Sequence, residues 1–206
     1  MLNIGSRMIC MKKPHVLRVM NYKSAVALFV SLILAGCAIT TREPMQPVSH
    51  VNIEKFMGDW YVLANIPTFP ERGALNPIER YELNPDGTIK TTFSFIHGKS
   101  GEARELNARG FVREGTSNAI WGMQFIWPIK ADYRIVYLDH DYSTTIIGRN
   151  KRDYLWIMSR DQRVSDERLA ELIGIAEKLG YDPALIEISN WQRPETEQDS
   201  KASVAL

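Results

Sequence analysis

Residues 78–96 read IERYELNPDGTIKTTFSFI. The run 78–83 (IERYEL) leads into Asn84-Pro85-Asp86-Gly87, a strong turn signal, and 88–96 (TIKTTFSFI) is rich in β-branched and aromatic residues. Two short β-prone runs around such a turn are a hairpin. The same rhythm extends in both directions. Upstream, 60–66 (WYVLANI) ends at Pro67 and Pro70. Downstream, His97-Gly98-Lys99-Ser100-Gly101 makes the next turn, and 103–113 and 118–126 are split by Glu114-Gly115-Thr116-Ser117. Runs 132–138 (DYRIVYL), 142–149 (YSTTIIGR) and 153–159 (DYLWIMS) complete the series. Eight short strands with regular connections predict an up-and-down antiparallel barrel or a sandwich.

A single helix follows. Ser165 is a good N-cap, and Asp166 and Glu167 lie in the first turn, where the helix dipole favours acids. Leu169, Leu172, Ile173, Ala176 and Leu179 recur at helical spacing, and Gly180 suits the C-terminal stop. One amphipathic helix can cover one side of a barrel. Residues 185–189 (LIEIS) suggest one more short strand, and the tail 194–206 is polar and expected to be disordered.

The chain has 206 residues, with 45% hydrophobic and 24% charged, as in globular proteins. Its net charge of +1 gives no footprint for nucleic acid. Five of the 25 basic residues and none of the 24 acids lie in residues 1–36, so the remainder carries −4. Residues 24–36 (SAVALFVSLILAG) are apolar and follow Arg18 and Lys23, the build of a secretory signal. The run is too short for a stable span, which needs about 20 apolar residues. Its end, Leu34-Ala35-Gly36-Cys37, resembles a bacterial lipobox. That resemblance implies cleavage before Cys37 and attachment of a diacylglycerol to its thiol. Ala38, where Asp would retain an enteric lipoprotein at the inner membrane, implies sorting to the outer membrane. Met8, Met11 and Met20 are alternative starts, and Cys10 is lost with the signal. Multiple acyl chains anchor stably where one does not. The reading gives a signal peptide over 1–36, a lipidated cysteine and tether over 37–50, and a barrel domain over 51–193.

Three short motifs fall at fixed places in the strand series. Gly58-Asp59-Trp60-Tyr61 opens the first strand, Asp139-His140-Asp141-Tyr142 lies between the sixth and seventh, and Arg160 ends the eighth. This set resembles the signature regions of the lipocalin family, and residues 58–192 are similar to its bacterial branch. The stretch 152–160 (RDYLWIMSR) and the following Ser165-Asp166-Glu167 carry that similarity. His140 departs from the Thr that many lipocalins have there. The resemblance implies an all-β, eight-stranded up-and-down antiparallel lipocalin barrel with one C-terminal α-helix packed on its side. It also implies binding of fatty acids such as palmitate, or of lysophospholipids, for storage or transport in envelope maintenance. Dimerisation occurs in this branch, and no residue here decides whether a homodimer forms.

The motif has its own physics. Gly58 permits a tight entry into the barrel. Trp60 would plug one end, with Arg160 across its ring, a contact of about 0.5–2 kcal/mol. Asp141 and Tyr142 belong to the same signature. Strand alternation then assigns a cavity lining. With Trp60 and Arg160 inward, Val62, Ala64, Ile66, Tyr154, Trp156 and Met158 face in. On the sixth strand the more aromatic face, Tyr133, Ile135 and Tyr137, is placed inward. Such a lining suits an elongated apolar ligand.

Two other function classes compete with this one. An enzyme would need catalytic groups, yet His15 lies in the signal, His50 in the tether and His97 and His140 in loops. Asp139-His140-Asp141 reads as a turn in which aspartates bond backbone amides, not as a metal site. The cluster Glu102, Arg104, Glu105 and Arg109 reads as a solvated strand face. No catalytic residue, metal or cofactor is expected. The other alternative is an interaction module whose barrel is filled by its own side chains.

Overall fold

A computed structural model describes residues 43–192. The expected signal peptide, Cys37 and the polar tail 194–206 lie outside the described residues. Within them the chain forms α1 (Ile53–Phe56), then β1 (Gly58–Ile66), β2 (Ala74–Leu83), β3 (Ile89–His97), β4 (Ala103–Val112) and β5 (Ile120–Ile126). There follow β6 (Ile129–Leu138), β7 (Thr144–Gly148), β8 (Leu155–Ser159), α2 (Asp166–Lys178) and β9 (Glu187–Ile188). Consecutive strands β1 to β8 pair antiparallel, and β1 also pairs with β8, so the sheet closes into an eight-stranded barrel. β9 adds to β1 on the outside, at Ala64 and Asn65.

The strands begin and end near the expected places, with instructive differences. β2 starts at Ala74, four residues early, because a register shift between Leu75 and Ile78 accommodates Asn76-Pro77. A proline cannot donate to a ladder, and a bulge is where a strand tolerates one. β6 starts at Ile129, which pairs with Ile126 across Trp127-Pro128.

The barrel has two ends. The first residues of β1 and β7 and the last of β2, β6 and β8 lie at one, which α1 covers. The opposite end holds the turn Phe69–Glu71, the β5–β6 hairpin tip and the β7–β8 loop.

Two apolar clusters divide the strands' faces. One lies inside the barrel and includes Phe56, Trp60, Val62, Tyr81, Phe93, Trp121, Tyr133, Ile135 and Met158. The other lies between the barrel wall and α2. It joins Leu63, Ile146, Leu155 and Ile157 to Leu172 and Ala176 of the helix. α2 begins as expected, with the Ser165 side chain accepting from the Arg168 amide, and Gly180 takes φ +90° beyond its end.

The stretch expected as a tether is bound to the body from residue 44 onward. Met45 is buried, its amide donates to Asn150 Oδ1 at 2.8 Å, and its carbonyl accepts from Arg134 at 2.9 Å. Val48 N donates to the Ile135 carbonyl and Val51 N to the Ser117 carbonyl. This strap therefore runs from the loop end of β7–β8 to the α1 end.

Candidate functional site

The α1 end is sealed by aromatic rings. Trp60 is fully buried, and its Nε1 donates to the Phe56 carbonyl at 2.9 Å. Phe56, Trp60, Tyr81 and Trp121 meet at centroid distances of 5.0–5.6 Å, and Tyr133 stacks on Trp121 at 5.2 Å. Arg160 lies over Trp60 with its guanidinium carbon 3.8 Å from the ring centroid. Its nitrogens donate to the carbonyls of Lys55, Phe56, Met57 and Asp59 at 2.7–3.1 Å. These carbonyls come from α1 and its exit, which the short helix leaves unpaired. Gly58 has φ +95°, and a Cβ there would stand 3.3 Å from the Arg160 guanidinium. Tyr142 accepts from the Asn52 amide at 2.8 Å, and Asp141 accepts from Ser143, so both fasten the loops around α1.

Above this floor the barrel encloses a cavity of about 410 Å³. Its walls are mainly apolar: Tyr81, Phe93, Leu106, Met123, Tyr133, Trp156 and Met158. Pro70, Phe125, Arg149 and Tyr154 stand toward the mouth. Few polar groups interrupt the lining. Glu71 Oε2 accepts from Trp156 Nε1 at 3.2 Å and from the Thr68 amide at 3.1 Å. Burial raises its carboxyl pKa, and these bonds hold it back only partly. Glu79 also lines the cavity, and its carboxyl has no hydrogen bond among the described residues. Burial pushes it well above the carboxylate range, and the nearby Glu71 charge pushes it further. The Tyr81 and Tyr133 hydroxyls bond to each other, and desolvation raises both. Arg149 stands near the mouth, 3.3 Å from Asp153 and with its Nε unpaired.

Of the residues expected to line a cavity, Tyr133, Tyr154, Trp156 and Met158 do so. Val62 and Ile135 belong to the interior cluster beneath it. Ala64, Ile66 and Tyr137 do not: all three pack in the cluster under α2. The cause is a bulge in each strand. Between Val62 and Ala64 the β1 register shifts against β8, so Asn65, not Ala64, stands opposite Trp156. Between Ile135 and Tyr137 the β6 register shifts against β7. Each bulge adds one residue and reverses the alternation beyond it. Segments outside the barrel use the carbonyls freed there. Ser189 N donates to Leu63 and Trp191 Nε1 to Val62, while Val48 N donates to Ile135. Nothing in the strand sequences themselves announces these bonds.

Tyr137 instead belongs to a polar clasp outside the barrel. Its hydroxyl donates to Asp139, which also accepts from Thr144, from Ser143 Oγ and from Arg168 Nη2 at 2.7 Å. Burial would raise the Asp139 pKa, but these bonds outweigh it and hold the group at about 2. The Asp139–Asp141 turn is thus engaged in hydrogen bonds to neighbouring side chains and amides. Among the described residues no group of three or more His, Cys, Asp or Glu is placed to hold a metal ion.

The lining also includes residues that the Trp60 and Arg160 motifs do not point to. Glu79 and Tyr81 alternate along β2, and Thr91 and Phe93 along β3, so their parity was visible in 78–96. Choosing the inward face needed an anchor such as Trp60, which pairs with Glu79. Glu71 gave no such signal, because it reaches the cavity from a turn.

Residues 51–190 match the lipocalin-like domain family model. The chain is 34% identical over 160 residues to temperature-induced lipocalin-1 of Arabidopsis thaliana, covering 70% of this chain and 81% of that protein. It is 25% identical over 158 residues to the outer membrane lipoprotein Blc of Escherichia coli K12, covering 77% and 89%. Among solved structures, insecticyanin of the tobacco hornworm Manduca sexta superposes with a TM-score of 0.58 at 14% identity, over 72% of this chain and 85% of that one. With the closed barrel, the flanking helix and the Trp60–Arg160 floor, this match over most of the chain makes it a member of the lipocalin family.

Proposed function

We propose that the protein is a membrane-anchored carrier of a single-chain lipid, a fatty acid or a lysophospholipid, in the envelope of a bacterium. The cavity carries this reading. It is walled by the barrel and open at one end, mainly apolar and of about 410 Å³, within the range of about 300–1,000 Å³ typical of small-molecule sites. A barrel filled by its own side chains, the interaction-module alternative, would leave no such space. Lipocalins are in general binding proteins and not enzymes, and the few polar groups in this cavity serve orientation better than chemistry.

The electrostatics favour one orientation. Glu79 stands opposite Trp60 at the floor, whereas Arg149 stands near the mouth. An acyl tail directed inward leaves a carboxylate or phosphate close to Arg149 and away from Glu79. Cys37 is the proposed site of lipidation, and the outer membrane the proposed location. The similarity to outer membrane lipoproteins supports both. A homodimer is compatible with this role.

Native mass spectrometry of the purified protein, followed by organic extraction, tests the carrier reading. A retained fatty acid or lysophospholipid is the expected result. A protein that arrives empty and whose tryptophan fluorescence does not respond to either lipid would overturn it. Trp156→Ala should lower lipid affinity about tenfold, because it removes both a wall of the cavity and the Glu71 hydrogen bond. Metabolic acyl labelling tests the anchor: label should enter the wild-type chain and be absent from Cys37→Ser.

A further inference from the structure

Two of the segments around the mouth of the barrel carry large apolar side chains that nothing covers among the described residues. At the β5–β6 tip, Phe125, Ile126, Trp127 and Ile129 are 58–81% exposed, and Phe69 on the turn after β1 is 80% exposed. No charge interrupts residues 125–129 (FIWPI). Isolated exposed apolar residues are ordinary, but a contiguous group marks an interaction surface. This group is continuous with the cavity: Phe125 lines it, as do Thr68 and Pro70 on either side of Phe69.

We propose that this ring is a bilayer-docking surface, so that the barrel sits mouth-down and exchanges its lipid directly with the membrane. Two features select a bilayer as the occupant. A protein seated on the ring would cap the mouth of the cavity, whereas a bilayer extends the apolar path that an acyl tail needs. The chain also enters the barrel at this end. Met45 is fixed to Asn150 in the β7–β8 loop and to Arg134, and only six residues separate Cys37 from Pro44. The seven steps from Cys37 to Pro44 reach about 25 Å at most. An acylated Cys37 therefore keeps the open end, not the Trp60 end, close to the membrane. The orientation rests on the Cys37 anchor; the apolar ring does not. Trp127 is suited to the boundary between headgroups and chains. Arg72, whose guanidinium lies 5.7 Å from the Phe69 ring, can meet lipid phosphates from there.

The test uses residues 37–206 carrying Cys37→Ser, which keep every described residue and have no acyl chain. An environment-sensitive fluorophore is placed at Ile126→Cys or, as a control at the closed end, at Glu114→Cys. The probe is vesicles of phosphatidylethanolamine and phosphatidylglycerol containing nitroxide-labelled acyl chains. The Ile126 position should be quenched several-fold more than the Glu114 position. The pair Trp127→Ser and Ile129→Ser should lower vesicle partitioning about tenfold with an unchanged melting temperature, since both side chains are exposed. Equal quenching at the two positions, or unaltered partitioning of the double variant, overturns the proposal. So does shielding of the Ile126 probe without vesicles in a dimer seen by ultracentrifugation, which would assign the ring to a second copy. Failure of the anchor is read separately, as absence of acyl label in wild-type cells. Failure of the carrier reading shows as absence of extractable lipid.

Discussion

At the scale of single residues, two charged groups inside the barrel do opposite things. Arg160 is held by four carbonyls and a ring, so its charge is used fully. A lysine can neither spread over Trp60 nor reach four acceptors. Arg160→Lys should cost about 2 kcal/mol in urea unfolding, and Arg160→Met about 3 kcal/mol, because the carbonyls of α1 are then left unpaired. Glu79 is the reverse, an acid with no hydrogen-bond partner in an apolar space. Its folded pKa is raised, so the native state holds a proton that the unfolded chain releases above about pH 4.5. Stability from this site therefore falls as pH rises beyond the ordinary carboxylate range. Glu79→Gln should remove that decline, making the variant more stable than the parent at pH 8 and indistinguishable at pH 4 in thermal melts. The same substitution should leave fatty-acid affinity at pH 8 unchanged, because the proposed orientation keeps the ligand's carboxylate at the mouth near Arg149. Tighter binding by the variant would instead place that carboxylate beside Glu79.

At the scale of elements, α2 is attached to the barrel by two different means. Leu172 and Ala176 are fully buried against Ile146, Leu155 and Ile157. Leu172→Ala should cost about 3 kcal/mol, the common range for a buried leucine, and lower the melting temperature without closing the cavity on the other face of the wall. The clasp of Arg168 on Asp139 adds a charged tie at the helix start. Asp139 has a lowered folded pKa of about 2, so its contribution is complete above the unfolded value near 3.8 and is lost as pH falls through about 2. Asp139→Asn should cost about 1–3 kcal/mol at pH 7 and progressively less below pH 4. The helix was legible in advance because its cap, spacing and stop are local signals. The eight strands were legible for the same reason: turns and β-prone runs punctuate 58–159. The Trp60–Arg160 floor followed from a short motif at fixed positions. What was not legible was parity beyond the bulges of β1 and β6. Alternation is a local rule, but these bulges are completed by Ser189, Trp191 and Val48, which lie far away in sequence. Ala64, Ile66 and Tyr137 were thus assigned to the cavity by a rule that holds only until the register shifts.

At the scale of the whole molecule, the barrel is polarised. One end combines buried rings, the α1 cover and the Arg160 bonds, and the other ends in an exposed apolar hairpin. The two ends should therefore open with different free energies. Amides exchange through global unfolding where packing is dense, and through local fraying where the chain is exposed. In native-state hydrogen exchange, residues 58–62 and 156–159 should exchange only with the full unfolding free energy. Residues 125–131 should exchange several orders of magnitude faster. A lipid in the cavity meets side chains of β2 to β6 and of β8, so it should stabilise the folded chain as a unit. Saturation at a hundredfold excess over Kd adds about 2.7 kcal/mol, and the slow amides at the floor should report this gain. Vesicles act on the mouth alone if the ring docks there, and should slow exchange at 125–131 while leaving the floor unchanged. Protection by vesicles spread evenly over both ends would mean that the membrane acts only by delivering lipid to the cavity. The pattern of protected amides thus separates filling the barrel from docking it, two events that a single melting curve would merge.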